Sequence, residues 1–249
     1  MNSRINLRLL TTRAALLVSA LLVLEAVVPG EDKNPDIAPP NSNPHGTSYA
    51  RWGAAWWQWV LSLPANNPPN PLLKTGSVDC SYGQFGHVWF LVGILSGGTV
   101  ARSCSVPTGT WLFLPVLNAW ADNTGVDSPT MFTLDQLKEL AAGLVNSPVE
   151  LHASIDGAPV QNLLAYRAAY APFGYLVPAT DNLLQFLGEN VPGAGWPTRF
   201  VFPAASDGYW LMLKPLPPGP HTINFGATTA TQFQLDITYQ ITVVPRGHF

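Results

Sequence analysis

The sequence predicts a mainly β domain, an antiparallel sandwich or jelly-roll with two short flanking helices. Proline (24 residues) and glycine (21 residues) are abundant, which is typical of short strands joined by turns. Apolar runs of strand length are separated by turn residues, and one long run near residue 240 alternates between apolar and polar side chains. The strand–helix rhythm of a parallel α/β sheet is absent, and a closed barrel is the second choice of architecture.

The first 30 residues are predicted to be a secretory signal peptide. Three arginines precede an apolar stretch at residues 14–28, which is the pattern of exported chains. This stretch is shorter than the about 20 residues of a membrane-spanning helix, and it includes Glu25. We expect cleavage between Ala26 and Glu31, no stable membrane span afterwards, and a secreted protein located outside the cell or in the periplasm. An uncleaved N-terminal anchor is the alternative.

The composition argues against nucleic acid as a partner. Only 11% of the residues are charged, against about 25% in typical globular domains. Removal of residues 1–30, with their three arginines and Glu25, lowers the formal net charge from −3 to −5. Phosphate binding needs clustered lysine and arginine, and no basic run follows Arg13. Residues 31–46 are predicted to be a proline-rich tail or linker, and residues 47–249 a single domain.

Residues 49–63 predict the first helix, which Pro64 ends. Its large apolar residues recur at spacings of three and four, which places them on one helical face: Tyr49, Trp52, Trp56, Trp59 and Leu63. We expect that face to pack against the sheet. Trp57 lies about 100° round from Trp56, so it is the ring that we expect to face solvent or a groove.

Residues 87–95, 100–106 and 110–116 predict three strands, because β-branched and aromatic residues are separated there by glycine and proline turns. Cys104 lies in the second of these strands, and Cys80 lies just before the first. In an exported chain an even pair of cysteines usually forms a disulfide, so we expect a Cys80–Cys104 bond. Two buried free thiols are the alternative.

The second half of the chain predicts another helix and more strands. Thr133 and Gln136 fit a capping box at the start of a helix over residues 133–145. Its predicted apolar stripe is Leu134, Leu137, Leu140, Ala141 and Leu144. Further strands are predicted at residues 149–155, 160–168, 208–216 and 221–225, with a loop-rich stretch at 171–206. Residues 232–243 alternate through six apolar–polar pairs, which predicts a strand with one buried and one solvated face.

Three residues are candidates for ligand binding. Trp57 offers a planar apolar ring that can stack on a ligand such as a sugar, although aromatic residues at helical spacing more often belong to the core. Asn118 opens the polar segment at residues 118–127, which is predicted to be a loop. Arg102 lies among apolar strand residues, where it either pairs with a carboxylate, reaches solvent at an edge or binds an acidic ligand group.

The same polar segment contains a candidate metal site. Asp122 and Asp127 place carboxylate oxygens close together in the sequence, and such oxygen ligands suit Ca²⁺. The spacing differs from that of an EF-hand, and a polar turn with side-chain hydrogen bonds to the backbone is the alternative. No other cofactor is expected.

The common catalytic motifs, including G-x-S-x-G, H-E-x-x-H, the P-loop and C-x-x-C, are absent from the sequence. Glu150 and His152 lie two residues apart in a predicted strand, so they share a face with Cβ atoms about 7 Å apart. This spacing suits an acid–base pair. The alternative is an ordinary surface histidine, and no nucleophile can be assigned.

Four segments, taken together, resemble a group of predicted secreted bacterial proteins whose activity is uncharacterised. They are WWQWVLSLP (residues 56–64), GQFGHVWFL (83–91), RSCSVPTGTWLFLPVLN (102–118) and DGYWLMLKPLPPGPHTINFG (207–226). The resemblance covers most of the mature chain and implies a single exported domain, without a site assignment. The turn and strand at residues 217–225 are also similar to the last hairpin of many extracellular immunoglobulin-like sandwiches.

The leading functional hypothesis is a secreted, non-catalytic β-sandwich that binds an extracellular small molecule or glycan, with carbohydrate as one candidate class. It depends on the absence of catalytic motifs beside an aromatic-rich, charge-poor composition. The competing hypothesis is a secreted hydrolase or lyase that uses Glu150 and His152 in a groove of the sandwich. A third is a structural or adhesive module of the cell envelope, which would expose a large apolar patch.

Overall fold

Two β-sheets pack against each other around a shared apolar core in the computed structural model. The structure describes Asn34 and residues 36–124, 131–146, 148–189 and 198–248. In this part of the chain the strands are β1 (Gly76–Ser77), β2 (Val88–Phe90), β3 (Gly98–Pro107), β4 (Trp111–Asp122), β5 (Pro148–Ile155), β6 (Ala158–Pro159), β7 (Tyr170–Pro178), β8 (Thr198–Leu213), β9 (Gly219–Thr229) and β10 (Gln234–Val244). The α-helices are α1 (Tyr49–Leu61), α2 (Leu134–Val145) and α3 (Leu183–Phe186).

The six-stranded sheet has the order β1-β3-β10-β9-β5-β6. β10 alternates as its sequence predicts, with Ile237, Tyr239 and Ile241 buried and the residues between them at least partly exposed. β9 and β5 repeat this pattern, because paired residues of neighbouring strands point to the same face. This sheet therefore buries one face in the core and leaves the other in contact with solvent.

The four-stranded sheet, in the order β2-β4-β8-β7, is covered more completely. Residues 112–117 of β4 and 204–213 of β8 are buried without interruption, which marks strands that are covered on both faces. α1 packs on one face, where the Trp56 ring meets that of Trp210. Gly53 makes this approach feasible, because a Cβ atom at that position would lie 2.9 Å from the Trp210 ring.

These features confirm the predicted fold class, a mainly β sandwich with flanking helices. The sheets are mixed, however, because three strand pairs are parallel: β1 with β3, β3 with β10, and β2 with β4. The remaining pairs among the described strands are antiparallel.

Both predicted helices are confirmed, with one correction to the second. α1 begins after Ser48, whose side chain accepts a hydrogen bond from the Arg51 N–H. α2 carries the predicted capping box between Thr133 and Gln136. Its buried residues are Leu137, Ala141 and Val145, whereas Leu140 and Leu144 of the predicted stripe are exposed. A helix that meets the sheet along a narrow contact buries residues four apart, and the leucines beside that line remain outside.

Three strand predictions are wrong in detail. Residues 163–166 form a short 3₁₀ helix in place of a strand, after Asn162 adopts a left-handed backbone conformation. β7 and the first half of β8 lie in the stretch predicted to be loops. Residues 118–122 continue β4, although the polar composition predicted a loop. β7 is the edge strand of the four-stranded sheet, and Leu176 in β7 as well as Phe200 and Phe202 in the first half of β8 are exposed.

The predicted disulfide between Cys80 and Cys104 is confirmed, and it joins the segment before β2 to strand β3. Residues 1–30 lie outside the described part of the chain. Within the segment predicted as a tail or linker, Ile37 and Ala38 are buried, and Ile37 pairs with Leu213 at the end of β8. Among the described helices, none has both the length and the apolar character to cross a membrane.

Candidate ligand-binding pocket

A pocket of about 370 Å³ opens at one edge of the sandwich, where β4 extends beyond its short partner β2. Six parts of the chain line it: α1, Leu72 before β1, the segment after β2, β4, the end of α2 and the β9–β10 hairpin. Their contributions are largely apolar and include Trp56, Trp120, Ile94, Leu117, Phe233 and Leu235. A concave, mostly apolar cavity with a few polar groups is the usual form of a small-molecule site.

Three tryptophans form the aromatic wall of the pocket, and each is held by a specific contact. The Trp56 Nε1–H donates to the carbonyl oxygen of Leu91 at 2.7 Å. The Trp57 ring lies 4.3 Å from the Trp120 ring, measured between centroids. Trp120 in turn donates from Nε1 to the Asp122 carboxylate at 2.9 Å. The wall is therefore preformed, since each ring is fixed by groups other than a ligand.

Two hydrogen-bond donors in this wall have no acceptor among the described residues. They are the indole Nε1–H of Trp57, a residue only 3% exposed, and the side-chain amide nitrogen of Asn118. Most buried polar groups in proteins are satisfied, and an unsatisfied one costs about 1–3 kcal/mol. The structure thus brings together two of the three predicted ligand-binding residues, Trp57 and Asn118, in one pocket.

Arg102, the third predicted ligand-binding residue, does not reach the pocket. It is 1% exposed, and no described carboxylate pairs with it, so the expected carboxylate pairing is wrong. Its guanidinium instead donates to four backbone carbonyls, those of Pro71, Lys74, Val92 and Gly93. It also lies over the Tyr239 ring. Because Gly93 lines the pocket, Arg102 supports the wall from behind.

The mouth of the pocket is apolar. Leu144 lines the pocket while 64% exposed, and Phe233 is also partly exposed there. Among the described residues, no charged side chain lines the cavity. The two threonine hydroxyls in the lining, those of Thr229 and Thr231, already contact each other at 2.9 Å. The unpartnered Trp57 and Asn118 nitrogens are themselves buried within the protein, so they are not accessible from the cavity.

The predicted catalytic residues lie elsewhere, on the solvated face of the six-stranded sheet. Glu150 and His152 line one shallow depression, together with Asp236. The His152 Nε2 atom is 3.4 Å from an Asp236 carboxylate oxygen, and both side chains are more than one-third exposed. Gly226 lies between them in the register and leaves room for the imidazole, since a Cβ atom there would lie 2.7 Å from the ring.

The carboxylate predicted to bind metal is engaged in hydrogen bonds within the protein. Asp122 accepts from the backbone N–H and the hydroxyl of Thr124, from the Trp120 indole and from the Tyr175 hydroxyl. Burial, followed by the nearby charge of Asp122, raises the pKa of Tyr175, which therefore stays a neutral donor. Asp127 lies outside the described residues. Within the part of the chain that the structure describes, no three potential metal-ligating side chains come together.

Sequence reasoning missed Trp120, Leu144 and Phe233 as pocket residues. Trp120 follows Asn118 at strand spacing, so a strand interpretation of the segment would have placed both on one face. Leu144 and Phe233 carry no comparable signal, because their role depends on how α2 and the hairpin meet β4.

Comparison of the chain with models of known protein families, with curated proteins and with solved structures finds no match.

Proposed function

We propose that this protein is an exported, non-catalytic binding protein whose ligand occupies the pocket at the open edge of the sandwich. The observation that carries this proposal is the concave, largely apolar cavity itself, whose tryptophan wall is already in place without a ligand. The preformed aromatic wall lowers the cost of ordering the site on binding.

The pocket favours an apolar molecule over a carbohydrate. A sugar carries many hydroxyl groups, each of which needs a partner when it leaves water. The described lining consists mainly of tryptophan, leucine, isoleucine and phenylalanine side chains. We therefore expect a glycan array to retain no ligand through this pocket.

Binding of the neutral fluorophore N-phenyl-1-naphthylamine tests the proposal, because its emission rises when it enters an apolar site. The matched variants are Gly93→Leu, which fills the cavity, and Gly247→Leu, which adds the same side chain elsewhere. A Cβ atom at Gly93 would meet Leu235 at 3.4 Å, an ordinary contact, and one at Gly247 would meet nothing within 4 Å.

We expect saturable enhancement with the wild type and with Gly247→Leu, and its loss with Gly93→Leu. Thermal unfolding of each variant verifies that it folds. Equal enhancement in all three proteins, or none in the wild type, would contradict the proposed pocket.

Export is supported by the signal-peptide pattern of residues 1–30 and by the Cys80–Cys104 disulfide, which is typical of oxidising compartments. Expression of the whole chain in a bacterial host tests this part of the proposal. We expect the mass of the recovered protein to correspond to cleavage between Ala26 and Glu31. Recovery of the full-length chain from the cytoplasm alone would contradict it.

A hydrolase or lyase is the second candidate, and the contact between His152 and Asp236 favours it. A carboxylate beside an imidazole is a common acid–base arrangement. The depression is shallow and solvated, however, and no oriented nucleophile accompanies the pair among its lining residues. Hydrolysis of p-nitrophenyl acetate that is abolished in His152→Gln but retained in Glu139→Gln would support the enzyme.

A further inference from the structure

We propose that the ligand is a long, unbranched alkyl or acyl chain with an uncharged polar end, which fills the pocket and continues over Leu144 along the outer face of α2. This inference rests on the proposed binding function and specifies the chemical class and shape of its ligand. A second hollow of about 450 Å³, the α2 groove, is lined by Phe132, Gln136, Glu139, Leu140, Gly143 and Leu144. Leu144 lines both cavities, so a chain that leaves the pocket mouth passes directly onto apolar surface.

The α2 groove follows rows of side chains along the helix. Gln136, Leu140 and Leu144 recur every four residues and form one ridge, and Gly143 lies in the neighbouring row. A Cβ atom at Gly143 would meet nothing within 4 Å, so the space beside it is open. From Gln136 to Leu144 the groove covers two turns of the helix, a length of about 12 Å at about 1.5 Å per residue. An elongated hollow of this kind fits an extended chain better than a compact ring system.

The exposed apolar side chains of α2 are explained by a ligand that covers them. Leu140 is 43% exposed and Leu144 is 64% exposed, on a helix whose other side packs on β4 and β8. Single exposed leucines are common, but neighbouring ones that adjoin an apolar cavity are typical of a binding surface. Gly143 adds a cost, because glycine inside a helix is less stable than alanine. An apolar chain that lies against the two leucines, in the space that Gly143 leaves, offsets this cost.

The continuity of the groove with the pocket favours one ligand over a protein partner. A flat protein surface that covered the α2 groove would span the pocket mouth and leave the cavity of about 370 Å³ unfilled. A flexible chain fills the cavity and covers the groove at the same time. The burial of both apolar surfaces then contributes to binding of a single molecule.

The charges along this path favour an uncharged polar end on the solvent side. Within the part of the pocket lining that the structure describes, no side chain is charged, so the apolar end of the chain belongs there. In the α2 groove the described polar groups are the Glu139 carboxylate and the Gln136 amide. Glu139 would repel the carboxylate of a fatty acid anion, whereas a hydroxyl group can donate to it. The groove therefore favours an alcohol or a glycerol ester over a free fatty acid.

Displacement of N-phenyl-1-naphthylamine by 1-hexanol, 1-octanol, 1-decanol and 1-dodecanol tests the inference. We expect the affinity of the wild type to rise about fourfold for each CH₂ group that enters the pocket. The rise should continue at about twofold for each CH₂ group in the open groove, where only one side of the chain is covered. Dodecanoate should bind more weakly than 1-dodecanol. Glu139→Gln should raise the affinity for dodecanoate about twofold and leave that for 1-dodecanol unchanged.

The variants Leu140→Gln and Gly143→Gln change the groove and leave the pocket lining intact, because both residues line the groove alone. Both positions are exposed and glutamine is a good helix former, so α2 should persist, which thermal unfolding verifies. We expect each variant to lower the affinity for 1-dodecanol about fivefold, the effect of one or two buried CH₂ groups, and to bind 1-hexanol like the wild type. Lys138→Gln places the same side chain on α2 outside the groove and should bind all four alcohols like the wild type.

The outcomes separate this inference from the proposed function. If the affinity stops rising beyond 1-octanol, or if both groove variants bind 1-dodecanol like the wild type, the extension along α2 is wrong while the pocket stands. Sedimentation that shows a dimer of the wild type, and a monomer of Leu140→Gln, would overturn the inference by assigning the groove to a second copy. Tighter binding of dodecanoate than of 1-dodecanol would overturn the uncharged end. No response to N-phenyl-1-naphthylamine itself would overturn the pocket.

Discussion

His221 and Asp156 form a paired site on the surface whose charges depend on each other. The two nitrogens of His221 face Asp156 Oδ2 at 2.7 Å and the Pro217 carbonyl at 2.8 Å, so both can donate only when the ring is protonated. Burial by itself lowers the pKa of His221, but these hydrogen bonds and the carboxylate charge outweigh it and raise the pKa above 6.5. Burial by itself raises the pKa of Asp156, but hydrogen bonds from His221 and Thr222 outweigh it and lower this pKa below 3.8.

The stability contributed by this pair should therefore be largest at intermediate pH and should fall at both lower and higher pH. The His221 contribution is fully present below pH 6.5 and is lost as the pH rises through the raised pKa. The Asp156 contribution is present above pH 3.8 and is lost as the pH falls through the lowered pKa. Urea denaturation of wild type and His221→Gln should differ most near pH 5, with the difference shrinking above neutral pH. A difference that is constant with pH would contradict this assignment.

The position of Gly226 leaves no room for a Cβ atom. A Cβ atom there would lie 1.9 Å from the carbonyl oxygen of Leu235 on the adjacent strand. We expect Gly226→Ala to lower the free energy of unfolding by about 2 kcal/mol or more, because backbone must move in a packed sheet. Gly247→Ala, which meets nothing within 4 Å, should change it by less than about 0.5 kcal/mol. Chemical denaturation measures both, and equal values would argue against the close approach.

At the scale of elements, α2 depends on its N-terminal cap. The Thr133 hydroxyl accepts from the Gln136 N–H, and the Gln136 side chain accepts from the Thr133 N–H. We expect Thr133→Ala to cost about 1 kcal/mol of stability. Thr133→Ser keeps the hydroxyl and should be close to wild type in thermal denaturation. A Thr133→Ala variant as stable as the wild type would show that packing alone defines the start of α2.

The elements that could be predicted are those in which one physical requirement determines the residue pattern. The alternation in β10 reflects one wet and one dry face, and the Thr133–Gln136 pair reflects the free N–H groups at a helix start. β7 and the first half of β8 were missed because Pro172, Gly174 and Pro203 interrupt their pattern. Pairing with neighbouring strands outweighs these local preferences, and a single sequence does not reveal those neighbours.

At the scale of the whole molecule, the disulfide ties the segment before β2 to the six-stranded sheet. Cys80 and Cys104 are 24 residues apart, and a crosslink over such a loop is worth about 3.5 kcal/mol in the chain-entropy description. We expect dithiothreitol to lower the thermal midpoint of the wild type. It should have no effect on a Cys80→Ala, Cys104→Ala double variant, which should itself unfold at a lower temperature. An unchanged wild-type midpoint under complete reduction would contradict this contribution.

The pocket could be predicted only in part, because it is a property of the assembled molecule. The sequence singled out Trp57 as the ring off the main helical face and Asn118 as the first residue of a polar segment predicted to be a loop. It could not place them together, since their approach depends on α1 packing against β4. Arg102 was correctly seen as unusual, but its backbone acceptors lie in segments whose path only the fold defines.

The parallel pairing of β3 with β10 has a consequence for how the protein is made. Val100 of β3 pairs with Ile237 of β10, so β3 gains this long partner only after residues 234–244 have been synthesised. The other neighbour of β3, strand β1, is only two residues long. Until then β3 has no neighbour along most of its length, and contacts so distant in sequence form slowly. The larger sheet is therefore completed only after the C-terminal strand has been made, and β3 folds into it late in synthesis.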